Sequence, residues 1–388
     1  MTRTSDRRVE RRYDPLLTEP VVVSIGPQHP SLAAPLRLTV LADGELIERV
    51  TPEIGFMHRG VERLCQQRPW AACAGLLSRC EWLSGSCGDY LLSAAVEELT
   101  GIAPPPRALW LRTTVLELSR LASHLFWWGD LGLELGAITP IFWGLREREG
   151  ALDLLAMLSG ERYHHGYIVP GGVRHEPPAD FYPALAAYLA RLPKAFDAYE
   201  ELFSDNAIWV NRAELIGVLE SEHAMLSGAS GPVLRASGVA HDLRKDAPYA
   251  AYSEVEFGVP TGEHHDALDR YRVRMQEMRE SVRILSQCVG RLAGPDAVPG
   301  IVRRSELPLA VGELKPPAGE VYVALEGPRG ELGLHSVSDG GPCPVRMHLR
   351  SPSLYHLHLL DELCRGYLLA DIFVIYASLD IMVGEVDR

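Results

Sequence analysis

From Val21 to Glu53 the pattern along the chain is short and β-like. Val21-Val22-Val23-Ser24-Ile25, Leu36-Arg37-Leu38-Thr39-Val40 and Leu46-Ile47-Glu48-Arg49-Val50 follow one another, and Asp43-Gly44 separates the last two. Asp-Gly between alternating apolar residues predicts a hairpin. From Val61 to about Leu226 the text becomes helical, in long segments punctuated by turns. Pro104-Pro105-Pro106 ends one, Ala137-Ile138-Thr139-Pro140 interrupts another and Pro170-Gly171-Gly172 ends a third. Leu116, Ser119, Arg120, Ser123, His124 and Trp127 recur at helical spacing, and the small residues among them let neighbouring helices approach closely. A last long helix is predicted over Ala267 to Leu292. A Pro/Gly-rich connector follows from Gly294 to Gly319, and short strands return at Val321–Leu325, Glu331–Leu334 and Val345–Leu349. The expected organisation is a polar tail at 1–20, an N-terminal β subdomain at 21–60, a helical core at 61–292, the connector at 293–320 and a C-terminal α+β part at 321–388. The fold class is α+β and predominantly helical.

Composition narrows the function. With 47% hydrophobic and 23% charged residues over 388 positions, the chain is long enough to bury a large core. A formal net charge of -13 argues against a nucleic-acid partner, which requires a concentrated excess of Lys and Arg. The one basic cluster, Arg3, Arg7, Arg8, Arg11 and Arg12, has no apolar stretch after it and reads as a solvated or docking arm and not a signal peptide. The longest apolar run, Leu368 to Leu379, is broken by Asp371 and is too short to cross a bilayer. Seven cysteines with no export signal fit a reducing compartment, with cytoplasm as the default.

The chemistry-bearing residues exclude more than they assert. There is no Cys-x-x-Cys and no His-x-x-x-His with a third ligand nearby, so the local signatures of zinc and iron–sulfur sites are missing and no metal is expected on this chain. Cys73, Cys80 and Cys87 recur every seven residues, which on one helix spreads them too far apart to share an ion. They read as small buried hydrophobes. Phosphate-binding and nucleophile-elbow motifs are absent, so a lone dehydrogenase, ATPase or hydrolase is poorly supported. What remains is a set of polar residues in apolar helical text: His58-Arg59, Arg79, Glu81, Arg120, His124, Glu134 and Arg162-Tyr163-His164-His165. For any one of them an internal ion pair is the commoner role; as a group they favour a polar pocket.

Seven motifs in order carry a resemblance. They are Gly26-Pro27-Gln28-His29-Pro30-Ser31, Ile54-Gly55-Phe56-Met57-His58-Arg59-Gly60, Glu117 through Leu125, Leu135 through Pro140, Leu234-Arg235-Ala236-Ser237-Gly238, Arg329 through Gly333 and the terminal Asp387-Arg388. Together they resemble the NADH-quinone oxidoreductase family of the 49 kDa subunit of respiratory complex I. The resemblance is collinear from about Val21 to Arg388. It implies a fold related to the large subunit of nickel–iron hydrogenases, but the positions of the first hydrogenase cysteine pair read Glu81 and Ser84, and Ser378 to Gly384 contains no cysteine. A nickel–iron site is thereby excluded.

The resemblance also implies a role. Such a subunit binds no cofactor itself. It packs against the subunit carrying the terminal iron–sulfur cluster, with quinone as substrate in a shared pocket, and it meets the membrane through the complex, beside a membrane subunit that forms the quinone channel. The implied location is peripheral, on the cytoplasmic side of the cell membrane. Carried over by position, His29, Ala33, Trp82 and Glu134 belong to the quinone pocket, and Arg59 and His164 lie near the partner's cluster. Three positions depart from the family. Where the family has a histidine that donates to one quinone carbonyl, this chain has Ala33, and where it has the tyrosine that donates to the other, this chain has Trp82. Glu134 stands where the family usually has Asp. An indole N–H can donate a hydrogen bond but supplies no proton at neutral pH. The resemblance therefore implies a quinone-reducing subunit with altered headgroup ligands; the alternative is a non-catalytic assembly paralogue whose pocket is filled by Trp82.

Overall fold

A computed structural model describes residues 20–32 and 34–388. The basic arm and Ala33 lie outside the described residues. The chain opens with β1 (Val21–Ile25), β2 (Arg37–Asp43) and β3 (Leu46–Glu53), an antiparallel sheet in which Val40 faces both Val23 and Val50. The Asp43-Gly44 hairpin is present, with Asp43 opposite Leu46. Leu38, Val40 and Ala42 are buried while their neighbours are not, the period-two signature of a half-buried strand. This sheet rests on the C-terminal end of the chain: the Ile47 N–H donates to the Tyr367 carbonyl at 2.9 Å and the Val50 N–H to Asp361 Oδ1 at 2.7 Å.

The helical core begins with α1 (Val61–Cys65), α2 (Trp70–Leu77) and α3 (Ser86–Thr100). Its axis is α4 (Pro106–Glu134), followed by α5 (Thr139–Ser159). Pro106 occupies the first turn of α4, where its missing N–H costs nothing. Gly144 of α5 lies so close to α4 that an added Cβ would stand 2.5 Å from the Leu125 carbonyl oxygen, so only glycine permits this approach. A short hairpin, β4 (Ile168–Val169) and β5 (Gly172–Val173), precedes α6 (Phe181–Tyr199), α7 (Ala207–Ala213), α8 (Ser221–Leu226), α9 (Gly231–Ala236) and α10 (Leu243–Asp246). The last long helix, α11 (Ala267–Ala293), starts at Asp266, whose side chain accepts from the Asp269 N–H at 2.8 Å. A second antiparallel sheet follows, β6 (Gly319–Gly327), β7 (Gly330–Ser338) and β8 (Arg346–Arg350). The chain ends in α12 (Pro352–His358), α13 (Leu360–Cys364), α14 (Asp371–Leu379) and α15 (Val383–Asp387). The fold is α+β and predominantly helical, with β-containing parts at both ends. No described helix is long and apolar enough to cross a membrane.

Two local readings are corrected. Pro170-Gly171-Gly172 does not simply end a helix: it is the tip of the β4–β5 hairpin, gripped from the core. Arg112 donates to the Gly172 carbonyl at 3.1 Å and the Val169 carbonyl at 2.8 Å, and Glu97, its ion-pair partner, accepts from the Gly171 N–H at 2.7 Å. Cys73, Cys80 and Cys87 do not share a helix, because the Arg79–Gly85 turn separates α2 from α3; all three are buried and free, as small hydrophobes are.

The buried charges of α4 form a closed network. Glu117 accepts from Arg244 at 3.1 Å, Tyr252 at 2.7 Å and Ser281 at 2.7 Å, and also from Arg120. Arg235 meets Glu277 and Glu326 at 2.8 Å each, and Glu277 also meets His124 Nε2 at 3.1 Å. Burial works against ionisation of Glu277, but Arg235 and His124 hold its carboxyl well below the usual range. Arg120 and His124, candidates for a pocket by sequence, are thus engaged in internal pairs.

Candidate functional site

The loop between β1 and β2 turns at Gly26, whose φ of 89° and close approach to the Leu36 carbonyl admit no side chain, and a cis Gly26-Pro27 bond follows. His29 stacks on Phe373 of α14 with ring centroids 5.2 Å apart, and its Nδ1 accepts from the Ser31 N–H at 3.1 Å. Ala34, the next described residue after Leu32, reaches a small chamber. Trp82 enters the same chamber from the single turn Trp82–Ser84, which is capped by Glu81 accepting from the Ser84 N–H. The indole is half-buried and meets Phe126 edge-on at 5.9 Å. Asp130, Arg329 and Asp380 complete the wall, leaving a cavity of ≈ 20 Å³. That is room for about one water and not for an aromatic headgroup.

Arg329 is the cation of this chamber. It donates to Glu81 Oε2 at 2.8 Å and Asp380 Oδ1 at 2.9 Å and is 2% exposed. Burial raises the Glu81 carboxyl to about 7 even beside this guanidinium. One helical turn apart on α4, Asp130 is raised to about 6 by burial and by the charge of Asp380, against Arg329, and Glu134 is raised well above its ordinary range by burial and by Asp130 and Asp380. Glu134 does not pair with a histidine among the described residues; it lines a cleft of ≈ 640 Å³ with Leu202, Trp209, Arg212 and Phe373.

On the other side of the Arg79–Gly85 turn lies a cationic face. Arg59 donates to the Arg79 carbonyl at 3.2 Å. His164, at φ 55°, stands over Gly85 with its Nδ1 unpartnered. Its pKa is lowered by partial burial and then by the charges of Arg79 and Arg59. Its neighbours diverge. His58 turns to the Asp387 carbonyl at 2.7 Å, Arg162 pairs with Glu149 and Asp153 at the surface, and His165 faces Ser86 at 3.3 Å. Among the described residues no group of three or more His, Cys, Asp or Glu side chains is arranged to hold a metal ion.

A family model described as respiratory-chain NADH dehydrogenase, 49 Kd subunit, matches residues 134–388. The chain belongs to this family. Its relatives extend the likeness over nearly all of the sequence. The chain is 43% identical to the corresponding NADH-quinone oxidoreductase subunit of Dehalococcoides mccartyi, over 96% of this chain and 99% of the relative. It is 42% identical to the corresponding subunit of Thermus thermophilus, over 96% and 95%, and 41% identical to that of Roseiflexus castenholzii, over 95% and 93%. Membership makes the chain a subunit of a multi-subunit oxidoreductase.

For a 49 kDa-type subunit, the structure brings only part of the sequence-predicted set together: His29 is not a wall of the chamber but stacks on Phe373, a wall of the cleft that Glu134 also lines. Trp82 sits at the chamber, with the described end of the His29 loop beside it, and Arg59 and His164 sit together at the cationic face; Glu134 stands one step away, between the chamber and the cleft. Asp130, Tyr376 and Phe373 were not singled out from the sequence. The signal for Asp130 was present, a carboxylate four residues before Glu134 and just after the apolar run Phe126-Trp127-Trp128.

Proposed function

We propose that this chain is the peripheral-arm subunit of an NADH-quinone oxidoreductase that docks the iron–sulfur subunit on its Arg59/His164 face and presents a quinone headgroup to the outer side of Trp82. The observation that carries the reading is the convergence of Ala34, Trp82, Asp130, Arg329 and Asp380, drawn from five separate parts of the chain, on one polar chamber. Only the Arg79–Gly85 turn separates that chamber from the cationic face, so a donor cluster docked there comes close to it. A cation and an imidazole beside a cluster tune its potential and its proton coupling. Leu133, Ile138, Phe142 and Ile208, all exposed around the cleft of Glu134, form the apolar surface that the membrane quinone-channel subunit covers. The chain itself contributes no cofactor and sits peripherally on the cytoplasmic side of the membrane.

One observation favours the second reading, a non-catalytic assembly paralogue: Trp82 and Phe126 leave the chamber too small for a headgroup. Quinone-reductase assays on the purified assembly separate the two. The wild-type assembly is expected to reduce a short-chain quinone, and Trp82→Tyr, by opening the chamber, to lower its KM by about tenfold, ~1.4 kcal/mol of recovered contact. Activity that appears only after Ala33→His and Trp82→Tyr are combined would decide for the paralogue.

A further inference from the structure

Behind Trp82 there are two water-sized cavities, not one. The chamber already described and a second of ≈ 20 Å³ share Trp127, Asp130, Asp380 and Ile381. The first reaches Ala34, Trp82 and Arg329; the second reaches Glu134 and Tyr376. Glu134 is at the same time a wall of the ≈ 640 Å³ cleft. The order from the cleft inward is therefore Glu134, a water-sized space, Asp130, a second water-sized space, Trp82. Each space has the volume of about one water and several polar partners to hold it.

The polar atoms along this line are conspicuously unfilled. Glu134 Oε2, Tyr376 OH and Asp380 Oδ2 are buried without a hydrogen-bond partner, and Tyr376 is only 2% exposed. Neither Asp130 nor Glu134 makes a hydrogen bond to any described residue, whereas Asp380 and Glu81 both hold Arg329. Three buried polar atoms without a hydrogen bond around cavities of this size call for water, although Asp380 Oδ2 also has the Arg274 guanidinium 3.9 Å away.

We propose that Asp130 delivers protons to the acceptor at Trp82 and is recharged from the cleft through Glu134, taking the part that Ala33 and the indole of Trp82 cannot play. This rests on the quinone reading above. Reduction of a quinone takes two electrons, supplied singly by an iron–sulfur cluster of the partner subunit, and two protons. For each proton, the Asp130 O–H bond breaks as an O–H bond forms on a quinone oxygen, by way of the chamber water. The resulting carboxylate takes the proton of Glu134 through the second cavity, and a proton from bulk solvent, relayed by water in the cleft, reprotonates Glu134 without net consumption of that water. The product is a hydroquinone, and no group of the chain is consumed.

The groups facing Asp130 suit this cycle. Its own helix presents Glu134; the C-terminal segment presents Asp380 and Tyr376; Arg329 comes from the turn between β6 and β7 and holds Glu81 on its far side. Burial and the Asp380 charge raise Asp130 to about 6 against the pull of Arg329, so the carboxyl both holds and releases a proton near neutrality. The protonated form is the donor. Delivery is full below that value and declines as pH rises through it.

The test uses the intact assembly with a short-chain quinone, comparing wild type, Asp130→Asn and Asp130→Glu. Asp130→Asn is expected to lower kcat by about a hundredfold at unchanged KM and to abolish the fall in rate as pH rises through the Asp130 range. Asp130→Glu is expected to restore most of kcat and the pH limb. Wild-type kcat and pH profile in Asp130→Asn, or equal loss in both variants, would overturn the assignment while leaving the quinone reading intact. A wild-type assembly inactive with quinone overturns that reading and this one with it. Should Asp130→Asn fail to assemble, Glu134→Gln probes the same line from the cleft: lost kcat at unchanged KM supports it, and unchanged kcat overturns it.

Discussion

Replacing Arg235 with methionine is expected to destabilise the chain by about 3–5 kcal/mol, among the largest effects of any single substitution in the core. The side chain is 0% exposed and meets Glu277 at 2.8 Å, Glu326 at 2.8 Å and Asp242 at 3.6 Å, with the His241 carbonyl at 2.8 Å. Methionine fills most of the volume but leaves three buried carboxylates facing one another. Arg244 still holds Asp242, and His124 remains for Glu277, whereas Glu326 loses its ion-pair partner. The pH dependence follows from the direction of the Glu277 shift. Its carboxyl is held below the ordinary range in the folded chain, so its contribution is present above the unfolded value of about 4.3 and is lost as pH falls toward the folded one. Arg235→Met removes that contribution in advance. Chemical denaturation at pH 7 and pH 4 should therefore show a wide gap between wild type and variant at pH 7 that narrows on acidification. A gap that widens would place the cost of the substitution in packing and not in charge.

The same network shows where sequence reading ends. Periodicity located β1 to β3, the Asp43-Gly44 hairpin and α11 because those patterns are local: a strand with one buried face alternates, and a helix with one buried face repeats near every fourth residue. Arg120 and His124 were legible as buried polar residues of α4. Their distant partners were not, since Arg120 reaches the Gly327 carbonyl 207 residues away and His124 and Glu277 are 153 apart. The β4–β5 hairpin was missed for a related reason: it is held by Arg112 and Glu97 reaching in from other helices, and no local propensity announces that. The family resemblance pointed to Trp82, Arg59 and His164 by position. It could not give the size of the chamber, which depends on how the Trp82 ring lies against Phe126.

The Arg329–Gly333 motif meets the first residue of α9, three positions before the Leu234–Gly238 motif, at one backbone contact, and Gly231→Ala should break it at a cost above about 3 kcal/mol. Gly231 opens α9, the helix of Arg235, with φ 62°, a conformation unfavourable to alanine. An added Cβ would stand 2.3 Å from Gly330 Cα and 2.7 Å from the Arg329 carbonyl oxygen. Both are backbone, so no side chain can swing aside; the β6–β7 turn itself has to move. That turn carries Arg329, which fixes Asp380 and Glu81 at the chamber, and Ser230 Oγ accepts from the Glu331 N–H at 3.0 Å beside it. The substitution should therefore cost activity in the folded fraction as well as stability. Gly290→Ala is the matched control. It lies within α11 with nothing within 4 Å of an added Cβ, so helix propensity alone acts and should stabilise by about 0.5–1 kcal/mol. Thermal melts of both variants, with quinone-reductase rates normalised to folded assembly, separate the effects. A Gly231→Ala protein as stable and active as Gly290→Ala would mean that the β6–β7 turn yields freely, and that its close approach to α9 is not what seats Arg329 between Glu81 and Asp380.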